Sequence, residues 1–156
     1  MQGNAKVIEA LNRGLTAELT AINQYFVQSK MCKNWGYERL AKKFYEEAIE
    51  EMKHADMLID RILFLEGVPE IARYDVIRAG TNVKEQLEYD AELEKKAVDL
   101  YNEVIRICEQ EGDSGSRLLA YELLKGSEET LDWLEAQLHL IAEVGLQNYL
   151  SEQLKD

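Results

Sequence analysis

The sequence is poor in residues that interrupt helices and in residues that build disulfide frameworks. Its 156 residues include one proline, nine glycines and two cysteines, and β-branched residues do not alternate with polar ones over any strand-length stretch. These absences predict an all-α protein made of long helices, and the length predicts a single domain over residues 1–156. Cys32 and Cys108 lack the spacing of a metal site, so we expect free or buried thiols in a reducing compartment.

Two further absences limit the expected location and partners. No apolar run approaches the ~20 residues that a membrane span requires, and the first residues lack the apolar segment of a secretory signal. Basic residues are scarce, because 18 Lys and Arg stand against 30 Asp and Glu, which gives a net charge of −12. We therefore expect a soluble, cytoplasmic protein that binds neither a membrane nor nucleic acid, since nucleic acid requires a basic surface. The acidic surface would attract cations, but ordinary solvated helix faces explain the charge as well.

Apolar residues recur at helical spacing through four long segments that are separated by turn signals. We predict helices over about residues 4–34, 37–66, 82–110 and 114–144. Asn4 and Asn82 are the expected N-caps of the first and third helices. Residues 146–155 can add a short fifth helix.

One connection is much longer than the others. Residues 67–82 lie between the second and third predicted helices and contain Gly67, Pro69 and Gly80. Such a connection lets the third helix run parallel to the second, as a crossover rather than a hairpin. The predicted architecture is therefore a ferritin-like four-helix bundle with one long crossover and a short C-terminal helix.

Three of the predicted helices carry a carboxylate in the middle of the apolar stripe that should face the core. These residues are Glu18, Glu51 and Glu94, and His54 follows Glu51 by three positions, on the same helix face. Buried carboxylates are costly unless they are paired or bind a metal, and close neighbours raise one another's pKa. A cation would remove this conflict, and oxygen ligands with one imidazole suit iron or manganese. The alternative is a set of structural polar residues without metal.

The second helix also has a second apolar stripe, and one helix cannot bury two faces inside a small bundle. Met52 lies on this stripe, about 100° around the helix from Glu51. By composition alone, Met52 is most simply core filler. The extra stripe nevertheless predicts contact with another subunit. Its members are Tyr45, Ile49, Met52, Asp56, Ile59 and Leu63.

Six segments in order along the chain match a known family. They lie at residues 21–26, 34–36, 51–56, 61–67, 132–135 and 145–150. With these segments the chain resembles the bacterioferritins, the haem-containing ferritins of bacteria, over essentially its whole length. The resemblance implies a hollow, twenty-four-subunit iron-storage shell that this chain forms with further copies of itself. It also implies b-type haem shared between two subunits, and a small ferredoxin as electron donor.

The resemblance implies roles for the polar residues of the core. Glu18 matches the terminal carboxylate of the first iron in the family's ferroxidase centre, and His54 matches the imidazole of that iron. Glu51 matches a carboxylate that bridges the two irons, and Glu94 matches the terminal carboxylate of the second iron. All four are expected metal ligands.

The fourth helix departs from the family's pattern. Ser127 stands where the family has the other bridging glutamate, and Thr130 stands where it has the second histidine. Neutral hydroxyls are poor iron ligands, so we expect weak or absent ferroxidase activity from this subunit alone, and co-assembly with a second, ferroxidase-competent bacterioferritin subunit type. Two alternatives remain: a homomeric shell that oxidises iron at a one-iron or water-completed site, and a haem-carrying shell component without enzymatic activity.

The resemblance gives Met52 a specific role. In the family, the matching methionine from each of two subunits ligates one haem iron through sulfur, and a thioether ligand raises the haem potential. Trp35 and Tyr45 are weaker candidates for the pocket lining. The implied role of this haem is to deliver the electrons that release stored ferric iron.

Overall fold

A computed structural model describes residues 1–155 of the chain, and within that range all regular structure is helical. The prediction of an all-α fold is therefore confirmed, with helix bounds within about two residues of the expected ones. No helix in the described range is long and apolar enough to cross a membrane. The helices are α1 (Ala5–Trp35), α2 (Glu38–Phe64), α3 (Val83–Gln110), α4 (Ser114–Val144) and α5 (Leu146–Ser151).

Local side-chain caps fix where the helices begin. The Asn4 carboxamide oxygen accepts a hydrogen bond from the backbone N–H of Lys6 at the start of α1. Asn82 caps α3 in the same way by accepting from the N–H of Glu85, whose own carboxylate accepts from the N–H of Thr81. These bonds satisfy backbone donors that the first helical turn leaves unpaired, so both predicted caps are confirmed.

Residues 67–82 form the crossover segment, which contains no helix or strand. The Asn12 side chain donates to the carbonyl of Val68 near the segment's start, and Gln24 accepts from the N–H of Arg78 near its end. The segment therefore runs alongside α1 in the direction of α1, and it returns the chain to the end of the bundle where α2 began. This path makes α3 parallel to α2, as predicted for a single crossover.

The helices pack as two pairs, α1 against α2 and α3 against α4. Their apolar side chains form two separate clusters, one around Leu11, Leu58 and Leu123 and the other around Phe44 and Leu134. A layer of buried polar side chains lies between the two clusters. The fold therefore places polar chemistry at the middle of the bundle.

Candidate metal centre

The polar layer is formed by mid-helix residues from all four long helices. Glu18, Glu51 and Glu94 are each at most 4% exposed, and Ser127 and Thr130 of α4 are also buried. Along α1, Glu18 follows Leu15 of one apolar cluster and precedes Ala21 of the other. The prediction that three carboxylates interrupt the core-facing stripes agrees with their burial.

Three of the predicted side chains come together closely enough to share one ion. His54 Nδ1 lies 3.5 Å from Glu18 Oε2 and 3.5 Å from Glu51 Oε2. One ligand atom from each of the three lies within 4.8 Å of the others, and no other group of three or more His, Cys, Asp or Glu side chains in residues 1–155 does so. We call Glu18, Glu51 and His54 the three-ligand group. Glu94 lies outside this group.

Two buried tyrosines each bind one oxygen of a buried carboxylate, that of Glu18 or that of Glu94, and leave its second oxygen without a hydrogen bond. Tyr101 donates its hydroxyl proton to Glu18 Oε1 at 2.5 Å, and Tyr25 donates to Glu94 Oε1 at 2.9 Å. The second oxygen of each carboxylate, Oε2, is buried without a hydrogen-bond partner, as is His54 Nδ1. Unpartnered buried polar atoms are rare in folded proteins. A bound cation would satisfy those of the three-ligand group, so this donor set fits a metal ion.

The electrostatics of the group also favour a cation. Burial raises the pKa of Glu51, and the nearby charge of Glu18 raises it further. Burial likewise raises the pKa of Glu94, and Glu51 adds to that effect. For His54, burial lowers the pKa, but Glu18 and Glu51 outweigh it and raise the value to about 10. Hydrogen bonding and Coulombic attraction to these two carboxylates hold the proton on the imidazole. A metal must therefore displace that proton to bind.

The α4 side of the layer carries short, neutral groups. The Thr130 hydroxyl lies 3.1 Å from the carbonyl of Gly126 and 3.2 Å from Glu47 Oε2. Gly126 lets the imidazole pack closely against α4, because a Cβ at that position would lie only 2.9 Å from His54 Cε1. The hydroxyl of Thr130 is therefore engaged with its own helix and with Glu47.

Two buried acids near the layer were not among the predicted site residues. Glu47 lies one turn before Glu51 and pairs with Lys43, whose Nζ is 3.1 Å from Glu47 Oε1. Asp90 lies one turn before Glu94; burial raises its pKa to about 7, and hydrogen bonds from glutamine side chains oppose that rise. Their spacing from predicted ligands was the available signal, since residues four apart share a helix face.

Comparison with known proteins identifies the family. A ferritin-like domain model matches residues 8–144. A bacterioferritin of Brucella melitensis is 48% identical over 96% of this chain and 92% of its own length. Bacterial ferritins of Pseudomonas aeruginosa and Synechocystis are 45% and 43% identical, each over 99% of this chain and at least 99% of its own length. The chain belongs to the bacterioferritin family. Iron storage is the activity that this membership supports.

The second apolar stripe of α2, for which the sequence predicts contact with another subunit, is largely exposed in the single chain. Met52 is 53% exposed, and Tyr45 and Ile49 of the same stripe are also exposed. Tyr45 packs beside the exposed ring of Phe26 from α1, with 6.1 Å between ring centroids. A thioether surrounded by exposed apolar and aromatic groups suits an apolar, metal-containing ring such as haem, so these residues fit that group. Trp35 lies nearer the end of α1 and stacks edge-on against Tyr37.

Proposed function

We propose that this chain is an iron-storage subunit that assembles into a shell, holds one iron at the three-ligand group and does not perform efficient paired-iron oxidation alone. The observation that carries this proposal is the asymmetry of the polar layer. Ligand atoms converge on one point from Glu18, Glu51 and His54, whereas Ser127 and Thr130 of α4 supply only hydroxyls. In this assignment iron is the substrate and cargo of the protein.

The second iron of a paired site would have too few ligands here. Glu94 offers one unpartnered oxygen, and Glu51 could share its carboxylate, but the Thr130 hydroxyl is engaged by Glu47. Neutral hydroxyls also contribute no negative charge to stabilise an oxidised ion. Co-assembly with a second, ferroxidase-competent subunit type would supply the missing oxidation step.

The test is iron oxidation by purified shells. Ferrous iron is added to the chain alone and to shells reconstituted with a ferroxidase-competent bacterioferritin, and oxidation is followed by stopped-flow absorbance. We expect only slow oxidation by the chain alone and a fast phase in the mixed shells. A fast phase by the chain alone that saturates at two irons per subunit would contradict the proposal.

The intact three-ligand group also favours a second candidate function. A homomeric shell could oxidise iron slowly at a one-iron site, without a partner subunit. Steady turnover by the chain alone, with a binding stoichiometry of one iron per subunit, would support this alternative. If Glu51→Gln abolished both the turnover and the binding of that iron, the activity would be assigned to the three-ligand group.

We further propose that Met52 holds haem between two copies of this subunit. The support is its 53% exposure on an apolar face of α2, where a two-fold related copy would present its own Met52. When bound, a haem with two thioether ligands supplies one-electron transfer at raised potential, and a small ferredoxin is the proposed donor. The Soret band of haem-loaded protein should disappear in Met52→Leu. It should persist in Met57→Leu, which alters a partly buried methionine of the same helix.

A further inference from the structure

One cavity of this acidic protein is lined by more cations than carboxylates. It has a volume of about 550 Å³ and lies between the first turns of α2, the last turns of α4, and α5. We propose that this cavity, which we call the α5 pocket, binds a phosphate group through Arg39 and Gln137. The proposal goes beyond iron storage, because the α5 pocket shares no residue with the three-ligand group.

The floor of the α5 pocket is built by the packing of α5 onto the bundle. Tyr149 of α5 is 3% exposed, and its hydroxyl donates a hydrogen bond of 2.8 Å to Gln137 Oε1 of α4. Gln153 follows α5 and is also buried, and its carbonyl oxygen accepts from the backbone N–H of Arg39 at 3.1 Å. These two bonds connect the α5 region to both α4 and α2. The polar groups of the pocket are therefore positioned before any ligand binds, which lowers the cost of binding.

Gln137 offers hydrogen-bond donors to a ligand in this pocket. Its side-chain oxygen accepts from Tyr149, so the NH₂ end of the carboxamide is the part that remains for a ligand. The two N–H donors of that end have no hydrogen-bond partner within residues 1–155. An anion would satisfy these donors, whereas a cation would not.

Arg39 supplies the positive charge closest to these donors. Its side chain is exposed and forms neither an ion pair nor a hydrogen bond within the described part of the chain, so its five N–H donors remain for a ligand. Burial raises the pKa of the Tyr149 hydroxyl, and the positive charge of Arg39 opposes that rise. The charge of the guanidinium therefore acts at the floor of the pocket, where Tyr149 binds Gln137.

Two lysine ammonium groups add to the positive charge of the lining. The Nζ atom of Lys43 lies 3.1 Å from Glu47 Oε1 and 4.8 Å from the centroid of the Trp133 ring, and Lys42 lines the pocket on the same helix. Only two carboxylates line the pocket, and both are exposed to water: Glu46 and Glu152. Three cations against two carboxylates is a local excess of positive charge in a chain whose net charge is −12, so the pocket favours anions.

The donors of the α5 pocket match a phosphate group better than a carboxylate. A guanidinium binds two oxygens of either group with parallel hydrogen bonds, and a lysine ammonium binds phosphate as a point charge. A phosphate monoester carries a charge of about −1.5 to −2 at pH 7, so it gains more from several cations than a singly charged carboxylate does. Its third oxygen can accept from the Gln137 amide. The cavity also has room for an organic part, since small-molecule pockets occupy about 300–1,000 Å³.

The test measures the binding of radiolabelled inorganic phosphate to the full chain by equilibrium dialysis. The protein is freed of iron and kept with a chelator, so that no phosphate binds through iron. We expect saturable binding that Arg39→Gln and Gln137→Glu each weaken by about tenfold, which corresponds to roughly 1.4 kcal/mol. The first substitution removes the charge, and the second places a repelling carboxylate where the amide donors were, while keeping an acceptor for Tyr149. Absence of saturable binding, or unchanged affinity in both variants, would overturn the proposal.

Two exposed residues of α3 provide matched controls. Arg106 and Gln110 lie outside the lining of the α5 pocket. Arg106→Gln and Gln110→Glu change the net charge of the chain by the same amounts as the two pocket variants. They should keep the phosphate affinity within about twofold of the wild type, or roughly 0.4 kcal/mol. If they weakened binding as much as the pocket variants do, overall charge would explain the attraction, and the assignment of the α5 pocket would be overturned.

Competition experiments identify the source of the phosphate group. Unlabelled adenosine monophosphate, acetate and inorganic phosphate are each added to the dialysis. Stronger competition by adenosine monophosphate would assign the pocket to phosphate esters, and weaker competition would assign it to free phosphate; both results support a phosphate site. Acetate that competes as well as phosphate would overturn the proposal.

A crystallographic measurement locates the site independently of any variant. Crystals of the wild-type chain are soaked in tungstate, a tetrahedral oxyanion, and the metal atom is located by anomalous scattering. We expect the ion between the Arg39 guanidinium and the Gln137 amide. Tungstate that binds only outside the α5 pocket would overturn the proposal.

Discussion

The polar layer has two sides, one formed by α1 and α2 and the other by α4, and they differ in whether their buried groups call for a bound cation. Ligand atoms of Glu18, Glu51 and His54 converge on one point. Of these residues, Glu18 and His54 have buried atoms without hydrogen-bond partners that a metal ion would satisfy, whereas the hydroxyls of Ser127 and Thr130 are neutral and require none. The first side is electrostatically expensive in the metal-free protein, because burial raises the pKa of Glu51 and so disfavours its charged form. Under the proposed function, metal affinity would be concentrated in α1 and α2, and the capacity to hold a second iron would depend on α4.

The largest expected effect is on the rate of iron oxidation, and it comes from giving α4 metal ligands like those of α1 and α2. Ser127→Glu combined with Thr130→His would supply a carboxylate and an imidazole from α4. We expect the initial rate of iron oxidation by the chain alone to rise about 100-fold, equivalent to roughly 2.7 kcal/mol of barrier. Stopped-flow absorbance would measure the rate after protein that was loaded with Fe²⁺ anaerobically is mixed with oxygenated buffer.

The control for this gain is a pair of neutral substitutions at the same positions. Ser127→Gln with Thr130→Asn occupies similar space without adding a carboxylate or an imidazole. It should remain as slow as the wild type. A comparable gain in the control would show that space or polarity, rather than ligand chemistry, distinguishes the two sides.

The next largest effect is the pH dependence of metal affinity at the three-ligand group. The pKa of His54 is about 10 in the metal-free protein, so a cation must displace its proton at neutral pH. The affinity for Co²⁺ should therefore rise about tenfold per pH unit between roughly pH 7 and 9, and level off as the pH passes the His54 pKa. Isothermal titration calorimetry in buffers of different ionisation enthalpy would count the released protons. A pH-independent affinity would show that the imidazole is already neutral.

Much of the fold and half of the centre could be predicted from sequence alone. Helical periodicity, the Asn4 cap and the position of the long connection determine the bundle, because each depends on neighbours in sequence. The burial of Glu18 and Glu51 follows from their places in apolar stripes. These features are local, and the structure agrees with them.

Features that depend on contacts between distant segments could not be predicted. The Thr130 hydroxyl contacts Glu47, which lies 83 positions away in the sequence. The apolar pattern of α2 gives no sign of this contact, because it places Ala48 rather than Glu47 on the core-facing stripe. The separation of Glu94 from the three-ligand group depends on side-chain rotamers and on its bond to Tyr25. Similarly, Asn12 and Gln24 bind the crossover segment, but only the path of that segment reveals their partners.

A smaller effect should appear in the stability of the metal-free protein. Burial and the Glu51 charge raise the pKa of Glu94 in the folded state. Its ionisation therefore costs stability as pH rises from the unfolded value of about 4.5 through the raised folded pKa. Glu94→Gln keeps an acceptor for Tyr25 and should increase the free energy of unfolding at pH 8 by about 1 kcal/mol.

Denaturant unfolding in the presence of a chelator would measure this gain, which should shrink towards pH 4.5. Glu88→Gln is the control, because Glu88 is exposed on the same helix and surface substitutions usually change stability by less than about 0.5 kcal/mol. A destabilised Glu94→Gln would show that the carboxylate is compensated in the metal-free protein, and the contrast between the two sides would weaken.

The smallest effect is expected at the α4 side itself. Thr130→Val removes the hydroxyl that contacts Gly126 and Glu47, but Glu47 keeps its 3.1 Å ion pair with Lys43. The free energy of unfolding should fall by about 0.5–1 kcal/mol, and Thr130→Ser should recover the hydrogen-bond contribution. Co²⁺ affinity, measured by calorimetry, should stay within about twofold of the wild type because α4 supplies no ligand to the three-ligand group, and RT ln 2 is only about 0.4 kcal/mol. A loss of affinity beyond that range would mean that the Thr130 hydroxyl orders the ion's surroundings, and that the two sides act as one site.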